Sequence, residues 1–131
     1  EVGIRAPSNE EYQFAKTNGL NFFTSEILND KPREAAEKIR KLLDKSSRIY
    51  LTVDIDCLDP SVAPGVGNPE SEGINITTLL NTIQAIANPR VKGFDVVEVS
   101  PPNDPSGITA VGAAKITFEL LTMFSKNPVN R

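Results

Sequence analysis

The sequence contains no histidine and no tryptophan, and it has only one cysteine and one methionine. Without histidine, this chain alone cannot complete a mechanism that depends on an imidazole base or an imidazole metal ligand. The single cysteine, Cys57, excludes an internal disulfide and agrees with a reducing compartment. The sequence therefore predicts a cytoplasmic protein whose polar chemistry rests on other side chains.

A surplus of positive charge is also absent. Lys and Arg total 14 against 17 Asp and Glu, which gives a formal charge of −3. Phosphate backbones attract basic surfaces, so we expect no nucleic-acid partner. The sequence shows neither a signal-type segment nor an uninterrupted apolar run of 18 residues, so we expect no membrane insertion.

What is present is typical of one globular domain. The 131 residues are 39% hydrophobic and 24% charged, enough to bury a core. Strand-like and helix-like segments alternate along the chain. Predicted strands span 1–5, 20–24, 48–56 and 93–99, and predicted helices follow Ser8 and span 31–44, 77–87 and 109–125. Strands separated by helices predict an α/β fold with a mainly parallel sheet.

Acidic residues follow two of these strands. Asp54 and Asp56 end one strand, and Glu98 lies near the end of the next. Residues two apart on a strand share a face, and ligands gather at the carboxyl ends of parallel strands. The pair can hold a hard cation such as Mn²⁺ or Mg²⁺, or it can bond loop amides and bind nothing. The spacing alone leaves both interpretations open.

The surrounding residues resemble the ureohydrolase family, which comprises the arginases and agmatinases. The segment from Val53 to Ile74 reads VDIDCLDPSVAPGVGNPESEGI and is similar to the carboxylate signature of that family. Two further segments resemble family sequences: GFDVVEVSPPNDPSGITAVGAAKITFELL resembles the closing segment, and VGIRAPSNEEYQFAKTNG resembles an agmatinase-like segment. The resemblance covers essentially the whole chain but only the C-terminal part of the family's domain.

This resemblance implies a three-layer αβα fold and a binuclear manganese site. Asp54 matches the carboxylate that bridges both ions, Asp56 matches one that chelates a single ion, and Glu98 matches the acid that receives the guanidinium. The implied reaction is hydrolysis of a small guanidino compound, with agmatine favoured over arginine and guanidinobutyrate left open as a further substrate. Agmatine would give putrescine, a polyamine, and urea.

The chain also departs from the family. The G-G-x-H and H-x-D-x-H-x-D motifs that supply the other ligands are missing. Residues 1–131 are therefore interpreted as the C-terminal portion of one ureohydrolase domain, without the N-terminal metal-binding portion and inactive alone. A half-sheet leaves an edge and apolar surface uncovered, so we expect a homo-oligomer.

Two other functions stay open. One is a Mg²⁺-dependent phosphotransferase of the D-x-D type, although Cys57 to Pro60 replace its usual continuation. The other is a non-catalytic module that keeps the fold for subunit contacts. Asp59 is expected to be a turn residue and Cys57 a small buried side chain, whereas the loop from Pro60 to Gly73 can be either a lid or a stiff connection.

Overall fold

The computed structural model describes residues 1–125, which form four strands and five helices. The strands are β1 (Val2–Ile4), β2 (Phe23–Thr24), β3 (Ile49–Asp54) and β4 (Val91–Val97). The helices are α1 (Asn9–Thr17), α2 (Ser25–Asp30), α3 (Pro32–Leu43), α4 (Ile76–Ile86) and α5 (Ile108–Ser125). The alternation of strands and helices agrees with the predicted α/β class.

Both strand pairings are parallel, as predicted. β1 pairs with β2, and β3 pairs with β4 over its full length, from Ile49 opposite Val91 to Asp54 opposite Val97. Within residues 1–125, the two pairs are not hydrogen-bonded to each other, so they form two separate two-stranded sheets. The single continuous sheet that the sequence suggested is therefore interrupted between β1 and β3.

The core lies against one face of β3. Val53 is buried while its neighbours Thr52 and Asp54 are exposed, which is the alternation of a strand covered on one side. The most deeply buried large side chains are Leu28, Ile55, Leu58, Ile74, Ile116 and Leu120. They come from helices α2 and α5 and from the segments that follow β3, so the core lies between the helices and the end of β3.

Local signals set most element boundaries. Ser8 caps α1 through a capping box in which the Glu11 amide and the Ser8 amide are both bonded by side chains. Pro32 opens α3. The predicted strand over 20–24 was too long, because β2 covers only Phe23–Thr24. Residues 25–30, for which no element was predicted, form α2, whose first turn is capped by the Thr24 hydroxyl.

Helix α5 begins after an acidic cap. The Asp104 carboxylate accepts hydrogen bonds from the amide of Thr109 at 2.7 Å, from the amide of Gly107 at 3.1 Å and from the Ser106 hydroxyl. These bonds hold the pKa of Asp104 at about 2, with the Ser106 hydroxyl as the largest cause. The carboxylate thus satisfies amides that α5 leaves unbonded at its start.

One face of α5 packs in the core, and the other is apolar but exposed. Gly112, Ala113, Ile116 and Leu120 are buried, whereas Val111 and Phe118 are 72% and 63% exposed. By length and composition alone, this helix is long enough to cross a membrane. A core helix passes the same test, so the absence of membrane insertion stays a prediction.

Candidate active site

The paired aspartates lie where β3 ends. Asp54 is the last residue of the strand, and Asp56 belongs to a 3-10 turn at Ile55–Cys57. The expected shared strand face is therefore wrong, because the strand stops before Asp56. The turn still keeps the two residues together, since the Asp56 amide donates to Asp54 Oδ1 at 2.8 Å.

The Asp56 carboxylate has an unsatisfied buried oxygen. Among the described residues, nothing donates a hydrogen bond to Oδ1 of Asp56, although this atom is out of contact with solvent. Burial raises the pKa of Asp56, and the negative charges of Asp54 and Glu98 raise it further, against the opposing effects of the Asn68 amide and Arg5. A buried acceptor without a donor is costly, so this oxygen lies where a cation or a further donor is needed.

Glu98 brings a third carboxylate to the same end of the fold. It directly follows β4 and is exposed. Its φ of +66° is in the left-handed region, which residues other than glycine and asparagine adopt only at a cost in conformational free energy. Its Oε2 lies 3.7 Å from the point that a Cβ on Gly67 would occupy, so the carboxylate faces the loop that follows the aspartates.

Arg5 is a residue of this site that the sequence reasoning missed. It follows β1, and its Nη2 donates to the carbonyl oxygens of Asp56 at 2.6 Å, Glu70 at 2.7 Å and Leu58 at 3.3 Å. Its Nε donates to the carbonyls of Glu70 at 3.0 Å and Ser71 at 3.1 Å. The planar guanidinium therefore ties the aspartate turn to the loop beyond it. The V-G-I-R segment was the available signal.

The loop after the aspartates is anchored at both ends. Asp59 accepts from the amide of Ser61 at 2.9 Å and from the amide of Gly73 at 3.2 Å, which agrees with the expected turn role. The Ser61 hydroxyl also donates to Asp59, and it is the largest of the causes that lower the pKa of this carboxylate. Between them, Ala63 and Val66 are buried. The first part of the loop is thus a fixed connection in which only Ser61 is exposed, whereas residues 67–72 are all exposed.

Cys57 is not a nucleophile in this arrangement. Burial raises the pKa of its thiol to about 12, and the Asp54 carboxylate adds to the shift. The thiol therefore stays protonated at neutral pH. Its Cβ lies 3.2 Å from the point that a Cβ on Gly3 would occupy, so it packs against β1 as a small side chain.

The donors present suit a hard cation but do not complete a site. Carboxylate oxygens are the ligands that manganese and magnesium prefer, and the unsatisfied Oδ1 of Asp56 fits such an ion. Within residues 1–125, however, no group of three or more His, Cys, Asp or Glu side chains is placed to hold a metal ion. The two aspartates alone therefore do not make a complete metal site, and their role as ligands stays a prediction.

A family model for the arginase family matches residues 1–123. The chain belongs to the arginase family. Agmatinase from Bacillus subtilis is 40% identical over 128 residues, which cover 95% of this chain and 41% of the relative. Among solved structures, the agmatine ureohydrolase of Thermoplasma volcanium is 32% identical with a TM-score of 0.79, covering 95% of this chain and 41% of that one. Proclavaminate amidino hydrolase from Streptomyces clavuligerus is 32% identical with a TM-score of 0.82, covering 97% and 43%.

These arginase-family structures confirm the predicted fold. TM-scores near 0.8 over almost the whole chain show that residues 1–125 adopt part of the arginase-like three-layer αβα architecture. The chain spans about two fifths of the length of the relatives it matches. The roles of Asp54, Asp56 and Glu98 as metal and substrate residues stay predictions, because no comparison tests individual positions.

Proposed function

We propose that this chain supplies the carboxylate part of the active site of a manganese-dependent agmatinase. In this proposal the complete domain hydrolyses agmatine to putrescine and urea, and the 131 residues alone are inactive. Agmatinase relatives at 40% identity support the substrate class. Membership of the arginase family gives no support to the phosphotransferase alternative or to a purely structural module.

The buried, unsatisfied oxygen of Asp56 carries this proposal. Asp54 lies beside it and accepts a hydrogen bond from the Asp56 amide, and the negative charge of Glu98 raises the pKa of the Asp56 carboxyl. Three carboxylates at one sheet end repel one another unless a positive charge lies between them. Metal ions and a guanidinium group both meet that requirement. The arrangement therefore fits a site that receives a cationic substrate beside a metal centre.

Each residue has a distinct role in the proposed reaction. Asp54 and Asp56 would hold manganese, which when bound makes water nucleophilic near neutral pH. Glu98 would orient the substrate guanidinium through charge-assisted hydrogen bonds. Arg5 fixes the backbone of Asp56 and so the direction of its carboxylate. The remaining metal ligands would come from outside these 131 residues.

The proposal includes a small guanidino substrate, a cytoplasmic location and a homo-oligomeric assembly. The exposed apolar residues of α5, among them Val111 and Phe118, support assembly because such surface is normally covered. Analytical ultracentrifugation of the complete domain measures its oligomeric state. A monomer at micromolar concentration would contradict the proposed homo-oligomer.

Glu98→Gln in a complete domain that carries this chain tests the proposed function. The variant keeps the size of the side chain but removes its charge, which costs on the order of 2–4 kcal/mol of transition-state stabilisation. We expect kcat/KM for agmatine to fall roughly thirty- to a thousand-fold while manganese content is unchanged. The matched control is Glu72→Gln, because Glu72 is also exposed with a φ of +64° but, unlike Glu98, is not among the charges that raise the pKa of Asp56. Loss of manganese in Glu98→Gln, with KM unchanged, would show that Glu98 is a ligand or a structural group.

A further inference from the structure

One cavity connects the candidate site with the loop that follows the aspartates. It has a volume of about 1080 Å³ and is lined by parts of β1 and β3, which are not hydrogen-bonded to each other within residues 1–125. Among the described residues, the charged side chains that line it beyond the carboxyl ends of these strands are Arg5, Asp54, Asp56 and Glu70. Of these four, Glu70 is the residue to which the proposed reaction assigns no role.

The backbone of Glu70 is held in place although the residue is exposed. The Arg5 guanidinium donates twice to the Glu70 carbonyl, from Nη2 at 2.7 Å and from Nε at 3.0 Å. The same Nη2 donates to the carbonyl of Asp56 at 2.6 Å, so Glu70 and Asp56 are neighbours in space. An exposed loop residue is usually mobile, whereas these bonds keep Glu70 beside the aspartate turn.

The Glu70 carboxylate has no cationic partner within residues 1–125. Its Oε1 accepts a hydrogen bond from the neighbouring Ser71 amide at 3.1 Å. None of the ion pairs in the described part of the chain includes Glu70, and Arg5 bonds its carbonyl rather than its carboxylate. A fixed negative charge therefore lies at the edge of the candidate site and is available to a ligand.

The separation of Glu98 and Glu70 suits a ligand that carries two positive charges. Glu98 Oε2 lies 3.7 Å from the point that a Cβ on Gly67 would occupy. Gly67 and Glu70 are three residues apart, which limits the distance between their Cα atoms to about 10 Å. Agmatine has a guanidinium and an ammonium joined by four methylene groups, which place the two charges roughly 7–8 Å apart when bonds near 1.5 Å are fully extended. With its guanidinium at Glu98, the molecule is long enough for its ammonium to reach Glu70.

We propose that Glu70 is a specificity-determining residue that binds the ammonium group of agmatine. The inference rests on the proposed function, because it takes Glu98 as the residue that binds the guanidinium. A carboxylate forms charge-assisted hydrogen bonds with an ammonium group and repels a carboxylate at the same end of a substrate. The loop 67–72 contains Glu70 and Glu72 but no Lys or Arg, so it has no charge that offsets this repulsion. Agmatine is thereby favoured over 4-guanidinobutyrate, which carries a carboxylate in place of the ammonium.

A purely structural role for Glu70 leads to a different expectation. Arg5 bonds the backbone carbonyl of Glu70, which every residue provides, so Glu70→Gln keeps this anchor. A structural defect would lower activity toward every guanidine alike. Loss of a contact to the ammonium affects only substrates that carry this group.

Glu70→Gln in a complete domain that carries this chain tests the inference with three compounds. They are agmatine, 1-butylguanidine, which lacks the ammonium, and 4-guanidinobutyrate. We expect kcat/KM for agmatine to fall about ten-fold, mainly through KM, because one charge-assisted contact is lost. The value for 1-butylguanidine should stay the same, and the value for 4-guanidinobutyrate should rise. Where a compound is not turned over, its binding is measured as competitive inhibition of agmatine hydrolysis. Manganese content should be unchanged.

Glu72→Gln is the matched control, because Glu72 is an exposed acid of the same loop that is not among the residues lining the cavity. We expect it to change none of the three values more than two-fold. Equal effects of the two variants, an equal fall for agmatine and 1-butylguanidine, or no fall for agmatine would each overturn the role of Glu70 while leaving the proposed function intact. A wild-type complete domain that hydrolyses no guanidine would overturn the proposed function and this inference with it.

Discussion

Arg5→Lys is expected to loosen the candidate site while leaving its net charge unchanged. Lysine has a single ammonium group, which cannot reach the carbonyls of Asp56, Glu70 and Ser71 together. The wild-type guanidinium makes five such contacts between 2.6 and 3.3 Å. The three contacts to Glu70 and Ser71 are exposed, and the two to Asp56 and Leu58 are partly buried.

The partly buried contacts dominate the expected loss. At about 1 kcal/mol net for each, and little for the exposed ones, the free energy of unfolding should fall by about 2 kcal/mol. For a domain of this size, that corresponds to a fall in Tm of about 6–8 °C. The assay is urea or thermal unfolding followed by circular dichroism. In the complete domain, manganese affinity is measured as well, because a displaced Asp56 backbone re-aims its carboxylate.

Arg90→Lys is the matched control for this prediction. Arg90 also joins two segments, donating to the carbonyls of Asp44 at 3.1 Å and Ser46 at 3.2 Å and pairing with the Asp44 carboxylate. It lies outside the candidate site, so its variant should lose stability but keep manganese affinity. A stability loss below about 0.5 kcal/mol in Arg5→Lys, or equal losses of manganese affinity in both variants, would refute the positioning role of Arg5.

The remaining predictions concern metal, backbone space, pH and the isolated chain. In a complete domain, Asp54→Asn should lose more manganese and activity than Asp56→Asn, because the proposed bridging carboxylate holds both ions; equal metal content would remove that assignment. Gly73→Ala should destabilise the fold by about 1–3 kcal/mol, because a Cβ there meets the backbone of residues 58 and 59 at 2.3–2.6 Å, whereas Gly67→Ala meets nothing closer than 3.7 Å; urea titration compares the two. The hydrogen bonds that lower the pKa of Asp104 stabilise the fold at pH values above 3.8, the ordinary pKa of an aspartate, and this contribution is lost as the pH falls toward about 2. Asp104→Asn should remove this contribution from the acid unfolding curve. The 131-residue chain alone should release no urea from agmatine above a manganese-only blank, and clear turnover would refute the missing-ligand argument.

The sequence predicted the elements that depend on local signals. Ser8 and Pro32 marked the starts of α1 and α3 because caps and N-terminal prolines act within one turn. Residues 20–24 were interpreted as one strand because the apolar run hid the Thr24 cap that opens α2. The early end of β3 was missed for a related reason, since the Asp54 carboxylate bonds the Asp56 amide and turns the chain.

The sequence did not predict the contacts between residues that are far apart along the chain. Arg5 reaches carbonyls up to 66 residues away, and backbone acceptors leave no pattern of side chains to recognise. The pair Asp54 and Asp56 was found because a spaced signature surrounds it, whereas the unsatisfied Oδ1 of Asp56 depends on packing. The cavity lined by β1 and β3 was not predicted either, because it exists only where the backbone groups of these two strands are not hydrogen-bonded to each other within the described residues.

The left-handed backbone of Glu98 has a consequence for protein engineering. At a φ of +66°, glycine would relieve a cost of about 1 kcal/mol or more that glutamate bears. Selection for thermostability alone would therefore favour replacing this acid, even though the proposed chemistry needs it. A variant library screened only for heat resistance should enrich glycine or asparagine at position 98, and the most heat-resistant members would be the poorest catalysts.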